Sequence, residues 1–154
     1  MDEIIQKATE LAVARIQPVY CARSQGRISA ERLPRRLQHW RQVMISACEQ
    51  CGRNRLPELL DIQDLAHWLA ELPAEGVHMV LNADEGNSLL EILPSATSPV
   101  SILVGPEGGF THQETEAMHY AGLRQVRLAH HTLRSETAAT SALAVAEALA
   151  IQSR

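Results

Sequence analysis

A chain of 154 residues with 45% hydrophobic content suits one domain with a sizeable core, which aromatics, at 3%, leave to Leu, Ile, Val and Ala. No apolar run approaches the roughly 20 residues that cross a bilayer, and Met1 to Lys7 has neither the basic start nor the apolar stretch of a signal peptide, so a cytoplasmic protein with no membrane partner is expected. The net charge of −4 by itself argues against nucleic acid.

The elements predicted in chain order alternate. Ile4, Ile5, Ala8, Leu11 and Ala12 recur at helical spacing and predict a helix over Asp2–Ala14. Residues 16–21 read as a strand, in which Pro18 suggests an edge or an irregular position. A loop over 25–29 leads to a long helix over 31–51, which tolerates Pro34 in its first turn and stops at Gly52. A short strand over 59–62, a helix over 64–71 and a strand over 77–82 follow. Residues 88–93 predict a turn or two of helix. Ser101 to Val104 is a strand, Thr111 and Glu114 form a T-x-x-E capping box that opens a helix, and Gly122 closes it. The last strand is predicted over 125–128 and the last helix over 136–151, with Ser135 as its N-cap. Such alternation implies an α/β fold, a mostly parallel sheet with helices on both faces.

The charge is unevenly placed. Between Arg23 and Arg55 stand eight Arg and two acids, Glu31 and Glu49, a net +6 that leaves the rest near −10. A solvated helix face accounts for this on charge alone. The use of Arg throughout, without Lys, suits bidentate contact with phosphate.

The most informative stretch is the glycine loop GPEGGF over 105–110 with its T-x-x-E at 111–114, followed by LR-S-ETA over 133–138. Glycine lets backbone approach a ligand closely. Together these motifs resemble the C-terminal domain of the SPOUT methyltransferases, and within them the ribosomal RNA small subunit methyltransferase E branch. The segment Gln6 to Ala12 is similar to that branch's QKATELG, and Ala47 to Pro57 is similar to its A-x-EQ-x-GR-x-R-x-P. The resemblance runs from about Glu3 to about Ala148. It implies a trefoil-knot domain, a homodimer, S-adenosylmethionine as cofactor, and methylation of N3 of a uridine in 16S ribosomal RNA or the small ribosomal subunit. It also implies an N-terminal RNA-binding β-barrel domain that this chain lacks.

By that resemblance the donor is held by Leu81, by Val104, Gly105, Pro106, Glu107 and Gly108, and by Leu128, Ala129, Thr132 and Leu133. For the three leucines, core packing is the competing account; for Gly105 and Gly108 it is a tight turn. Ala129 and His131 stand where the family usually has Gly and Arg, and Thr132 replaces an aliphatic, so Ala129 to Thr132 are carried over as backbone contacts only. Arg53 and Arg134 are the candidate catalytic cations, since removing the N3 proton leaves an anion to be stabilised. Arg134 and Glu136 are also a candidate brace, and Glu136 alone suits a helix start. Gln50, Arg53, Asn54 and Arg23 are expected to meet RNA. For Arg53 a surface role near a helix end competes.

No metal is expected. Cys48-x-x-Cys51 lies inside a helix without a second pair, and His112, Glu116 and His119 share a helix face that fits solvent better than a bound ion. A non-catalytic RNA-binding or ribosome-assembly module remains the alternative function. A phosphate binder is a weaker one, because the glycine loop lacks the Lys-Ser/Thr ending of a P-loop.

Overall fold

The computed structural model describes residues 1–82, 86–93 and 99–152. Its elements are α1 (Asp2–Glu10), β1 (Arg15–Ile16), β2 (Val19–Tyr20), α2 (Leu33–Cys51), β3 (Glu58–Leu59), β4 (Gln63–Asp64), α3 (Leu65–Ala70), β5 (Val77–Leu81), β6 (Asn87–Ser88), α4 (Leu89–Ile92), β7 (Val100–Leu103), α5 (His112–Tyr120), β8 (Arg124–Arg127) and α6 (Ser135–Gln152). The central sheet has the order β6-β8-β5-β7, and every pairing in it is parallel.

Alternation along the strands explains why both faces are covered. Val80 and Leu103 point to one side, where Leu65 and Leu69 of α3 and Met118 of α5 meet them. Met79 and Val126 point to the other, against Leu89 and Ile92 of α4 and Ala142 of α6. A third cluster, built on Ile5, Ala8, Ile16, Trp40 and Met44, joins α1 to α2 and takes Leu143 of α6 at its edge. The predicted α/β class with helices on both faces is therefore what forms.

Several element boundaries differ from the predicted ones, the larger differences for a local reason. Helix α1 stops at Glu10 rather than Ala14 because Ala12 turns left-handed, with φ 60°. Ala12 N–H donates to Thr9 O and Val13 N–H to Ala8 O, the bonding of a Schellman end. The strand expected over 16–21 splits into β1 and β2, and the one expected over 59–62 becomes β3 and β4. Arg15 pairs with Glu58 but Val19 with Gln63, so the second segment carries one extra residue, a bulge. Pro18 has no N–H to offer there, and the Gln17 side-chain amide donates to Asp61 O in its place. Asn87 and Ser88 form the edge strand β6, where only helix was expected; two residues carry no readable period. Ser135 is the first residue of α6 rather than its cap, since its hydroxyl is bonded elsewhere.

Candidate functional site

Strand β5 lies between β7 and β8, all three parallel, so their carboxyl ends sit side by side. Open parallel sheets bind ligands beyond such ends. Leu81 ends β5, Val104 to Thr111 follow β7, and Leu128 to Arg134 follow β8. The sheet order thus brings the predicted donor residues together from three separate stretches of sequence. Asn82 N–H donates to Val126 O at 2.9 Å, which carries the β5–β8 pairing to the edge of the site.

The loop after β7 is a turn in which Gly109 N–H donates to Pro106 O at 2.8 Å, and Gly109 takes φ 66°. Gly105 needs glycine for a different reason. A Cβ there would lie 2.8 Å from the Phe110 ring, which packs against the α3–α5 core. At Gly108 an added Cβ would lie 3.2 Å from Cβ of Arg23. Glu107 is exposed.

In the loop after β8, Leu128 and Ala129 are half-buried, while His130, His131, Thr132 and Arg134 are exposed. Leu128 leans on the α4–α6 core, as does Leu81. Leu133 is half-buried yet belongs to none of the three core clusters. Ser135 Oγ donates to Gly105 O at 2.8 Å and so ties the two loops together across 30 residues. Arg134 and Glu136 form no ion pair among those found between described residues, so the expected brace is replaced by this serine bond.

The glycine loop is also fastened from outside. Arg23 Nη1 donates to Gly108 O at 2.9 Å and to Phe110 O at 3.4 Å. Glu114 completes the predicted capping box: Oε2 accepts from Thr111 N–H at 2.8 Å, and Thr111 Oγ1 accepts from Glu114 N–H at 3.2 Å. Its second oxygen, Oε1, accepts from Ala22 N–H at 2.7 Å. Burial pushes the Glu114 carboxyl up, but the N–H groups of Thr111 and Ala22, the Thr111 hydroxyl and the Arg23 charge together hold it below the usual glutamate range. The capping box was legible in the sequence; the Ala22 and Ser135 bonds were not, because each joins distant segments.

Of the residues expected to meet RNA, Arg23 is bonded to the glycine loop, while Gln50, Arg53 and Asn54 lie around the end of α2. Gln50 and Asn54 are exposed around the end of α2. Arg53 is half-buried and turned to α1, with Nη1 donating to Thr9 O at 2.9 Å and Nη2 to Val13 O at 2.7 Å. The guanidinium expected to meet the target base satisfies carbonyls at the end of α1.

A cleft of about 450 Å³ lies beside the sheet edge, lined by Tyr20, Arg27, Asp64, Gln113 and Glu114 among others. Its lining takes Thr111 from the loop after β7 but neither Leu81 nor any residue of the 128–134 loop. Among the described residues no group of three His, Cys, Asp or Glu is placed to hold a metal ion, and no helix is long and apolar enough to cross a membrane.

Residues 1–147 match the family model described as RNA methyltransferase domain. The chain belongs to that family. It is 31% identical over 143 residues to ribosomal RNA small subunit methyltransferase E of Buchnera aphidicola subsp. Schizaphis graminum, covering 93% of this chain and 58% of that protein. It is 30% identical over 146 residues to the Aquifex aeolicus protein of the same name, covering 94% and 61%. The crystal structure of ribosomal RNA small subunit methyltransferase E from Neisseria gonorrhoeae bound to S-adenosyl methionine superposes with a TM-score of 0.89 at 36% identity, covering 97% of this chain and 60% of that one. This RNA methyltransferase domain therefore spans about three fifths of the length of its relatives.

Proposed function

We propose that the chain is the catalytic domain of an S-adenosylmethionine-dependent methyltransferase acting on N3 of a uridine in 16S ribosomal RNA. The observation that carries this reading is the convergence of Leu81, the 104–111 loop and the 128–134 loop at three adjacent strand ends, tied by the Ser135–Gly105 bond. The names of the relatives support it, and so does the donor bound to the Neisseria gonorrhoeae protein.

The residues present fit such a donor. An adenine needs backbone amides and carbonyls at close range and apolar walls; residues 104–108 and 129–132 offer the first, and Leu81, Leu128 and Leu133 the second. Leu133 is the most telling, because no core cluster among the described residues accounts for it. When bound, the donor supplies an electrophilic methyl group. The remaining work falls to the chain: holding the uracil N3 in line and favouring the anion that forms as its proton leaves. Arg134 is assigned that second role, being exposed next to Leu133 and without a carboxylate partner among the described ion pairs. Gln50 and Asn54 are assigned to RNA contact, and Arg23 to fixing the glycine loop. Arg53 carries no substrate contact in this account.

A homodimer and a trefoil knot belong to the same proposal. Thr137, Ala144, Ala148 and Ile151 lie exposed along one stripe of α6, a surface that a second copy would cover. The test is methyl transfer from labelled donor to small ribosomal subunits lacking the modification, using the full-length protein if this domain alone is silent. Label on uridine N3 is expected. Subunit binding without donor binding or transfer would instead identify a non-catalytic assembly module.

A further inference from the structure

We propose that Arg32, Arg35 and Arg36, at the start of α2, form a docking ridge for the RNA phosphate backbone, separate from the donor edge. This rests on the RNA methyltransferase reading above and names the surface that would hold the substrate.

An inventory of the arginines between 23 and 55 leads to it. Arg23 and Arg53 donate to backbone carbonyls. Arg27 pairs with Asp64 and lies over the Tyr20 ring, 5.0 Å from its centroid. Arg32, Arg35, Arg36, Arg41 and Arg55 are exposed, and none has a carboxylate within ion-pair distance among the described residues; Arg55 lies beyond α2, and Arg41, five residues on from Arg36, falls on another face of it. Arg32, Arg35 and Arg36, at i, i+3 and i+4, share one helix face, so these three cations stand together. Arg36 rests over Trp40, 6.0 Å from the ring centroid, and one turn on from Arg35 the row ends at His39, which is bonded to Asp2 at 2.6 Å.

Their place on the helix is the second argument. A helix start carries partial positive charge and favours acids. Helix α2 has no acid in its first turn and no side-chain cap, and Arg32 occupies the cap position itself. Three like charges thus stand where the backbone also repels them. An anion laid across the ridge relieves both repulsions, and planar guanidinium groups match phosphate oxygens in pairs. The ridge also lies within a bounded distance of the glycine loop. Arg23 touches the glycine loop, and the nine residues from there to Arg32 reach at most about 30 Å when fully extended. One folded RNA segment spans that distance.

The test uses the full chain and its Arg32→Gln/Arg35→Gln/Arg36→Gln triple variant. All three side chains are exposed, so circular dichroism and S-adenosylmethionine affinity should be unchanged. The probe is a small-subunit ribosomal RNA transcript, titrated without donor from about 50 to 200 mM salt. Removing three phosphate contacts should flatten the slope of log K against log salt by about two to three, and weaken binding at least tenfold at the lowest salt. Arg15→Gln, which removes a cation already paired with Glu58, should change neither. An unchanged slope and affinity in the triple variant would overturn the ridge as an RNA surface, and would leave an acidic protein as the anion it meets. Failure of the wild-type chain to bind S-adenosylmethionine would count against the methyltransferase reading alone, because the RNA titration contains no donor.

Discussion

Ala12 and Arg53 act on the same helix end, and both can be tested through stability. Helices α1 and α5 close with the same pair of backbone bonds, but α5 has Gly122 in the left-handed position and α1 has Ala12. A Cβ there is unfavourable, and the similar QKATELG motif places glycine at that position. Ala12→Gly should therefore stabilise the protein by about 0.5–1 kcal/mol, read as a raised urea midpoint with unchanged slope. A lowered midpoint would show that α1 does not end this way. Arg53 adds two charge-assisted bonds to the same end. Arg53→Ala should cost about 2 kcal/mol or more of stability, and Lys should not restore it, because an ammonium lacks the fork that reaches both carbonyls. If Arg53→Ala unfolds like wild type while methyl transfer collapses, the base-contact role expected from the sequence is restored.

At the scale of elements, the sequence was legible wherever a signal was local. The T-x-x-E box opened α5 as read, Gly52 and Gly122 stopped their helices, and the alternation of strand and helix gave a parallel sheet. It misled where partners came from elsewhere. The bulge opposite Pro18, in the 58–64 segment, meets a side chain from Gln17, and its register is set by pairing between distant stretches. The Glu114 carboxylate was read as a cap, yet its second oxygen holds Ala22. This link has a pH signature. The carboxyl is held low in the folded state, so its stabilisation is fully present above the unfolded value of about 4.3 and is lost as pH falls through the lower folded value. Glu114→Gln keeps one acceptor for the cap and places an amide N–H against Ala22 N–H. It should cost about 1–2 kcal/mol at neutral pH, with the gap to wild type closing below about pH 4. A gap that stays constant down to pH 3 in urea titrations would show that the carboxylate does not carry this bond.

For the molecule as a whole, the convergence of the three loops proposed to hold the donor was the part most legible in advance. Strand ends, the glycine loop and the LR-S-ETA segment all fall where a parallel sheet gathers them. What pins them, Ser135 to Gly105 and Arg23 to Gly108, appears only in three dimensions. The structure also changes which variant probes the site. Valine at Gly105 would push on Phe110 and the core behind it, so loss of binding there would be ambiguous. Leu133→Asp is the better choice, since among the described residues that side chain belongs to no core cluster. The decisive measurement is calorimetric titration of the chain with S-adenosylmethionine, alongside ATP and Leu133→Asp. The expected result is one donor per chain, no comparable binding of ATP, and loss of donor binding in a folded Leu133→Asp protein. A folded wild-type chain that ignores S-adenosylmethionine, or binds it no better than ATP, would contradict it.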